Sequence, residues 1–268
     1  MLTRTADISR GVTLEYVEHG DPAGLPIILL HGVTDSWRSF EPVLPHLPAT
    51  FRALALTQRG HGGSSHPPEG YRFADFSADV RAFMDALALS RAVIVGHSMG
   101  SYVAQRFAID HPERTLGLLL AGAFPRLVGN AVVQELWQSG VATMADPIDP
   151  VFVREFQEGT VATSVPPDFM DMVVAESLRV PANVWRATFA EFLATDFSNE
   201  ARQIQAPTLI VWGDRDNIVS RSDQAALQGL IEGARLVVYE GAGHAVHWDE
   251  PARFAADLVN FAGSLSAA

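Results

Sequence analysis

The stretch Gly96-His97-Ser98-Met99-Gly100 constrains this chain more than any other, because of what stands on either side of it. Residues 91–95 form a short apolar, β-branched run of the kind that makes a buried strand, and residues 101–107 read as a helix. A strand that enters a helix through G-x-S-x-G must turn sharply, and the turn lifts the serine hydroxyl clear of the sheet. The flanking glycines answer a steric demand, since side chains at 96 and 100 would crowd a turn in which Ser98 is itself strained. A serine is also a common helix N-cap, so the pentapeptide decides little without its context.

The context is an alternation. Val12, Leu14 and Tyr16 interleave with Thr13 and Glu15, the pattern of a half-buried antiparallel strand. After the turn signal Asp21-Pro22-Ala23-Gly24, residues 27–30 predict a fully buried strand, and residues 51–56 another. Phe73, Phe76, Val80, Phe83, Met84 and Leu87 fall at helical spacing. Further interior strands are expected at 116–120, 208–212 and 235–239, with helices around 224–231 and from Pro251 onward. Strands alternating with helices imply a mainly parallel sheet covered on both faces. From about 125 to 203 the alternation stops and only helical, aromatic-rich stretches remain. The expected organisation is therefore a core of residues 1–124 and 204–268, with a helical cap at 125–203.

Composition narrows the function classes. Nineteen Lys and Arg against 31 Asp and Glu give a net charge of −12, the wrong sign for nucleic acid or an anionic membrane. No cysteine is present, which removes disulfides and thiolate metal sites. The first residues lack the apolar core of a signal peptide and no apolar run reaches bilayer-spanning length, so a soluble, cytoplasmic protein is expected.

A serine hydroxyl attacks poorly until a base takes its proton. Two later loops offer partners: Gly213-Asp214-Arg215-Asp216 and Gly241-Ala242-Gly243-His244, with His247 as a rival base. The order Ser, Asp, His is the one that accompanies this type of turn. Both aspartates stand close enough in sequence to serve. His31 and His61 stand beside glycines that point to tight turns, and His244 with His247 lacks a third ligand, so no metal is expected. The glycines at 60, 62 and 63 lack a phosphate-loop pattern, and no cofactor is expected.

Together with His31-Gly32 and Arg59-Gly60-His61-Gly62-Gly63-Ser64, these motifs make the chain resemble the α/β-hydrolase fold superfamily over almost its whole length. The resemblance implies a mainly parallel eight-stranded α/β sheet flanked by helices, with Ser98 as nucleophile and His244 as general base and acid. It implies Asp216, at the fourth position of its motif, as the carboxylate that orients His244, leaving Asp214 as a turn residue. Backbone N–H groups of Val33 and Met99 would form the oxyanion hole. Relatives with an aspartate nucleophile, such as haloalkane dehalogenases and epoxide hydrolases, are a poorer match than serine esterases. Thr57 stands where many relatives have aspartate, and Ser101 where a third glycine is frequent.

The expected activity is hydrolysis of small to medium apolar acyl or aryl esters, or lactones, by a serine carboxylesterase. C–C bond hydrolysis, hydroxynitrile cleavage, perhydrolysis or slow-turnover ligand binding are the alternatives on the same triad. Among the many aromatic residues, Trp37, Trp137 and Trp185 are the expected substrate contacts. As partners, the reading implies the small-molecule ester or lactone, no nucleic acid and no membrane, and it leaves room for a homodimer.

Overall fold

The computed structural model describes residues 1–8 and 11–265. Its framework is one eight-stranded sheet in the order β1-β2-β4-β3-β5-β6-β7-β8. The strands are β1 (Thr3–Ile8), β2 (Val12–Gly20), β3 (Leu25–Leu30), β4 (Phe51–Leu56), β5 (Ala92–His97), β6 (Thr115–Ala121), β7 (Thr208–Gly213) and β8 (Arg235–Tyr239). β1 and β2 pair antiparallel, as do β2 and β4, and every later pairing is parallel. Seven strands lie where the sequence pattern puts them. β1 is the strand the pattern does not announce, because Thr3, Arg4 and Thr5 are exposed and only Ala6 and Ile8 turn inward.

The period of two sorts the sheet's side chains into two cores. Ile28, Leu30, Ile94, Leu118 and Leu120 face one side, where they meet α1 (Phe73–Ala86), α2 (Met99–Asp110) and Leu227 of α7 (Arg221–Leu230). Ile27, Leu29, Val93, Val95, Leu119 and Val211 face the other, under Phe254, Leu258 and Phe261 of α9 (Pro251–Leu265), which follows the single-turn α8 (Val246–Asp249). Both faces are thus sealed, which is why these strands read as unbroken apolar runs rather than alternating ones.

Between β6 and β7 the chain makes an insert of four α-helices: α3 (Ala131–Ser139), α4 (Pro150–Glu158), α5 (Pro167–Ser177) and α6 (Ala182–Ala194). The two ends of the insert run side by side: Arg126 and Asp196 form an isolated antiparallel bridge, and Phe197 N–H donates to the Pro125 carbonyl at 2.9 Å. Because β3 to β8 are parallel, the loops that follow β3, β5, β7 and β8 emerge at one edge of the sheet, beneath this insert. In open parallel sheets that edge is where ligands bind. No helix among the described residues is long and apolar enough to cross a membrane.

Candidate active site

β5 delivers Ser98 to that edge. The residue stands at φ 50°, ψ −114°, in the left-handed region that a serine occupies only when its surroundings enforce it. The enforcement is visible on both sides. Its N–H donates to the Ala121 carbonyl at 3.0 Å, and its own carbonyl accepts from the Ser101 and Tyr102 N–H groups. The Ser101 hydroxyl adds a further donation to that carbonyl at 2.7 Å, so the serine in the third-glycine place reinforces the turn. A Cβ on Gly96 would stand 2.2 Å from the Gly100 carbonyl oxygen, and one on Gly100 only 2.1 Å from that of Leu30 in β3. Glycine is required at both places because backbone meets backbone. Ser98 does not use its side chain to cap α2, which sets aside the ordinary role of a serine at a helix start.

The loop after β8 brings in His244. Its Nδ1 lies 2.8 Å from Asp216 Oδ2, and both side chains are almost completely buried. The other Asp216 oxygen accepts from the Ile218 and Val219 N–H groups at 2.8 and 3.0 Å. A carboxylate only accepts, so Nδ1 carries the hydrogen and Nε2 keeps the lone pair. Asp214 is exposed and accepts instead from the Gly241 N–H at 2.7 Å, closing a turn. His247 is fully buried with Nε2 3.0 Å from Ser39 Oγ, and burial together with the nearby His244 pushes its pKa down to about 3. The structure therefore pairs Asp216 with His244 and leaves Asp214 and His247 elsewhere.

Behind them, histidines serve as neutral scaffolding. His97 Nε2 lies 3.1 Å from the His244 carbonyl, and burial first, then His247 and His244, holds its pKa well below the usual value. His31 Nε2 accepts from the Gln58 N–H at 3.0 Å, so Nδ1 must be the nitrogen that donates to the Gly32 carbonyl at 2.7 Å. That pins the turn after β3, where the Asp35 N–H closes back on Gly32. Val33 lies inside this turn and Met99 is the first residue of α2. Among the described residues neither backbone N–H has a hydrogen-bond partner. Free N–H groups of this kind, one at a helix N-terminus, are suited to a developing negative charge.

Ser98, His244 and Val33 share the wall of one cavity. Most of the wall is apolar: Phe124, Leu127, Val133, Leu136, Phe189 and Phe192 come from the insert or its approach. Trp37, Trp137 and Trp185 are not part of it, which corrects the expectation from the sequence. Trp37 is buried in the core on the α9 side, with its backbone N–H on Thr57 Oγ1. Trp185 is fully buried against Phe156 and Phe189, and Trp137 packs partly buried on the main core. Trp37 and Trp185 are spent on packing and leave no surface for a ligand, and Trp137 does not reach this wall. Trp248 lines the cavity instead, along with the unexpected Asp35 and Gln157. Asp35 is pushed up to about 7 by burial, against the opposing hydrogen bonds from Gln157 and Ser39.

A family model of the alpha/beta hydrolase fold matches residues 26–251. The non-heme chloroperoxidase of Streptomyces lividans is 29% identical, covering 97% of this chain and 99% of its own. The 2-(acetamidomethylene)succinate hydrolase of Mesorhizobium japonicum is 27% identical over 97% of this chain and 95% of its own. Among solved structures, the esterase RhEst1 from Rhodococcus sp. ECU1013 superposes with a TM-score of 0.85 at 28% identity, covering 99% of this chain and 100% of that one. The sheet order, the strained serine at the end of β5 and a match running from β3 to the start of α9 agree: the chain belongs to the alpha/beta hydrolase fold family.

Proposed function

We propose that this hydrolase cleaves carboxylic esters or lactones of small to medium apolar acyl or aryl groups through an acyl-enzyme on Ser98. The observation that carries the reading is the strained, uncapped Ser98 beside the His244–Asp216 pair in an apolar cavity. Ser98 Oγ attacks the acyl carbon while His244 Nε2 takes its proton. The carbonyl oxygen, now negative, accepts from the Val33 and Met99 N–H groups. His244 then returns the proton to the leaving alcohol, and water attacks the acyl-enzyme by the same route in reverse. Asp216 keeps the imidazole in the required tautomer and offsets its transient positive charge.

The cavity wall supports the substrate class. Its apolar residues favour a neutral acyl group over a charged one. A second reading draws on the chloroperoxidase relative. Hydrogen peroxide in place of water would release a peracid from the same acyl-enzyme, with Ser98 and His244 in unchanged roles.

The test is a panel of p-nitrophenyl esters and lactones graded by chain length, run on wild type and Ser98→Ala. Turnover of short to medium esters is expected to fall by at least about 10³-fold in the variant. Hydrolysis that survives the substitution would sink the reading. Peracid formation that outpaces hydrolysis at millimolar peroxide would favour the second.

A further inference from the structure

The turn that carries Val33 contains a residue that does not belong there by its own preference. Thr34 has φ 70°, and the turn is closed by the Asp35 N–H on the Gly32 carbonyl. A closing bond from first to fourth residue, with a left-handed third residue, is the pattern of a type II turn, which calls for glycine or asparagine at that place. A β-branched residue is an outlier there and stays only if something outside the turn holds it.

What holds it comes from the insert. Gln157 of α4 places its amide nitrogen 3.0 Å from Thr34 Oγ1, 3.1 Å from Asp35 Oδ1 and 2.7 Å from Ser177 Oγ of α5. All four residues are buried. The donor must be the amide, because both hydroxyl hydrogens are already committed. Thr34 donates to Ser177 at 3.2 Å, and Ser177 donates to the Val173 carbonyl at 3.0 Å. On the far side, Ser39 donates to Asp35 Oδ2 at 3.2 Å, so the Asp35 carboxyl is held between core and insert. Gln157 also lines the cavity.

We propose that Gln157 is a positioning residue: through Thr34 and Asp35 it holds the turn at residues 32–35 in the shape that presents the Val33 N–H, so the insert assembles the site as well as covering it. This rests on the ester-hydrolase reading above. A turn released from Gln157 relaxes toward the ordinary preference of threonine and moves an oxyanion donor, and loss of one such donor typically costs about 10²–10³ in rate. Binding in the apolar cavity does not depend on that donor, so the loss falls on kcat.

The experiment uses p-nitrophenyl butyrate with Gln157→Met, Thr34→Val and the double variant Thr34→Gly/Gln157→Met, each checked for folding by circular dichroism. Gln157→Met is expected to lose at least tenfold in kcat with KM within threefold of wild type. The double variant is expected to regain at least fivefold over Gln157→Met, because glycine takes up a left-handed conformation without an external hold. A merely structural role for Gln157 predicts no such rescue. An unchanged kcat in folded Gln157→Met, a loss carried by KM, or a double variant as slow as the single one would each overturn the proposal. If Gln157→Met does not fold, Thr34→Val decides. It removes the same hydrogen bond from the other side and is expected to lose at least tenfold in kcat, and an unchanged value refutes the role. Wild-type hydrolysis that persists in Ser98→Ala would instead remove the reaction itself, and the proposal with it.

Discussion

Asp214 and Asp216 are two residues apart on one loop and do different things. Asp216 turns inward, where one oxygen meets His244 Nδ1 and the other meets two backbone N–H groups. Asp214 stays in water and closes the turn onto Gly241. Asp216→Asn keeps the shape but offers His244 a donor where it needs an acceptor, so the imidazole is driven to the wrong tautomer. A kcat reduction of about 10³–10⁴ is expected in ester hydrolysis, against less than about threefold for Asp214→Asn. Comparable losses from the two variants would contradict the assignment.

At the scale of elements, the strands and helices of the core follow from apolar spacing and turn residues, and the sequence makes them legible. The edge strand β1 escapes because only two of its residues, Ala6 and Ile8, turn inward, too short a repeat to stand out. The site divides in the same way. Ser98, His244 and Asp216 sit in short motifs in which Gly96, Gly100, Gly213 and Gly243 are forced by backbone contacts, whereas the cavity wall depends on how the insert packs over it. Trp185 looks no different in sequence from a ligand contact until α4 and α6 are seen to bury it. Gln157 did leave a trace: it stands four residues after Val153 on α4, which puts both on the helix's buried face. A buried glutamine among apolar neighbours needs polar partners, and that was the signal to follow.

The loop after β8 shows how one element locks another. The Asp249 carboxylate accepts from the Gly243 N–H at 2.7 Å, beside His244, and from the Ala162 and Thr163 N–H groups of the insert at 3.2 and 2.9 Å. Ala245 N–H donates to the Thr160 carbonyl at 2.8 Å in the same seam. Asp249→Ala would strand three backbone donors. Unfolding free energy is expected to drop by about 1–3 kcal/mol, with faster proteolysis between residues 159 and 165. Urea melts and limited digestion test this, and a variant as resistant as wild type would show that the seam is not held by Asp249.

For the whole molecule, buried titrating groups set the response to acid. His31, His61, His97 and His247 are all held neutral, chiefly by burial, with depressed pKa values. A depressed histidine contributes stability above its unfolded pKa, near 6.5, that is lost as pH falls below it, at about 1.4 kcal/mol per group per pH unit. Asp35 acts in the opposite sense. Its raised pKa of about 7 contributes stability that is complete below its unfolded value and gone once pH passes the folded one. Between pH 5.5 and 8 that opposing contribution is about 2 kcal/mol, smaller than the four histidines together. The protein is therefore expected to be more stable at pH 8 than at 5.5, and Asp35→Asn to steepen the loss on acidification. Urea unfolding of both proteins at the two pH values measures it, and equal pH dependence would exclude Asp35 as a contributor.

The loops after β3, β7 and β8, which bear Val33, Asp216 and His244, are also tied to the insert. Gln157 reaches Thr34 and Asp35, the Asn130 amide donates to the Ile218 carbonyl just beyond Asp216 at 2.8 Å, and the Asp249 seam joins the histidine loop to residues 160–163. Anyone wishing to redirect this enzyme toward other substrates inherits that stitching. A chimera carrying a foreign insert would acquire a new wall and lose all three ties, arriving with the right chemistry in the wrong places. The room for redesign lies in the side chains of α3 that face the cavity, Val132, Val133 and Leu136, which can change size while the stitches stay closed.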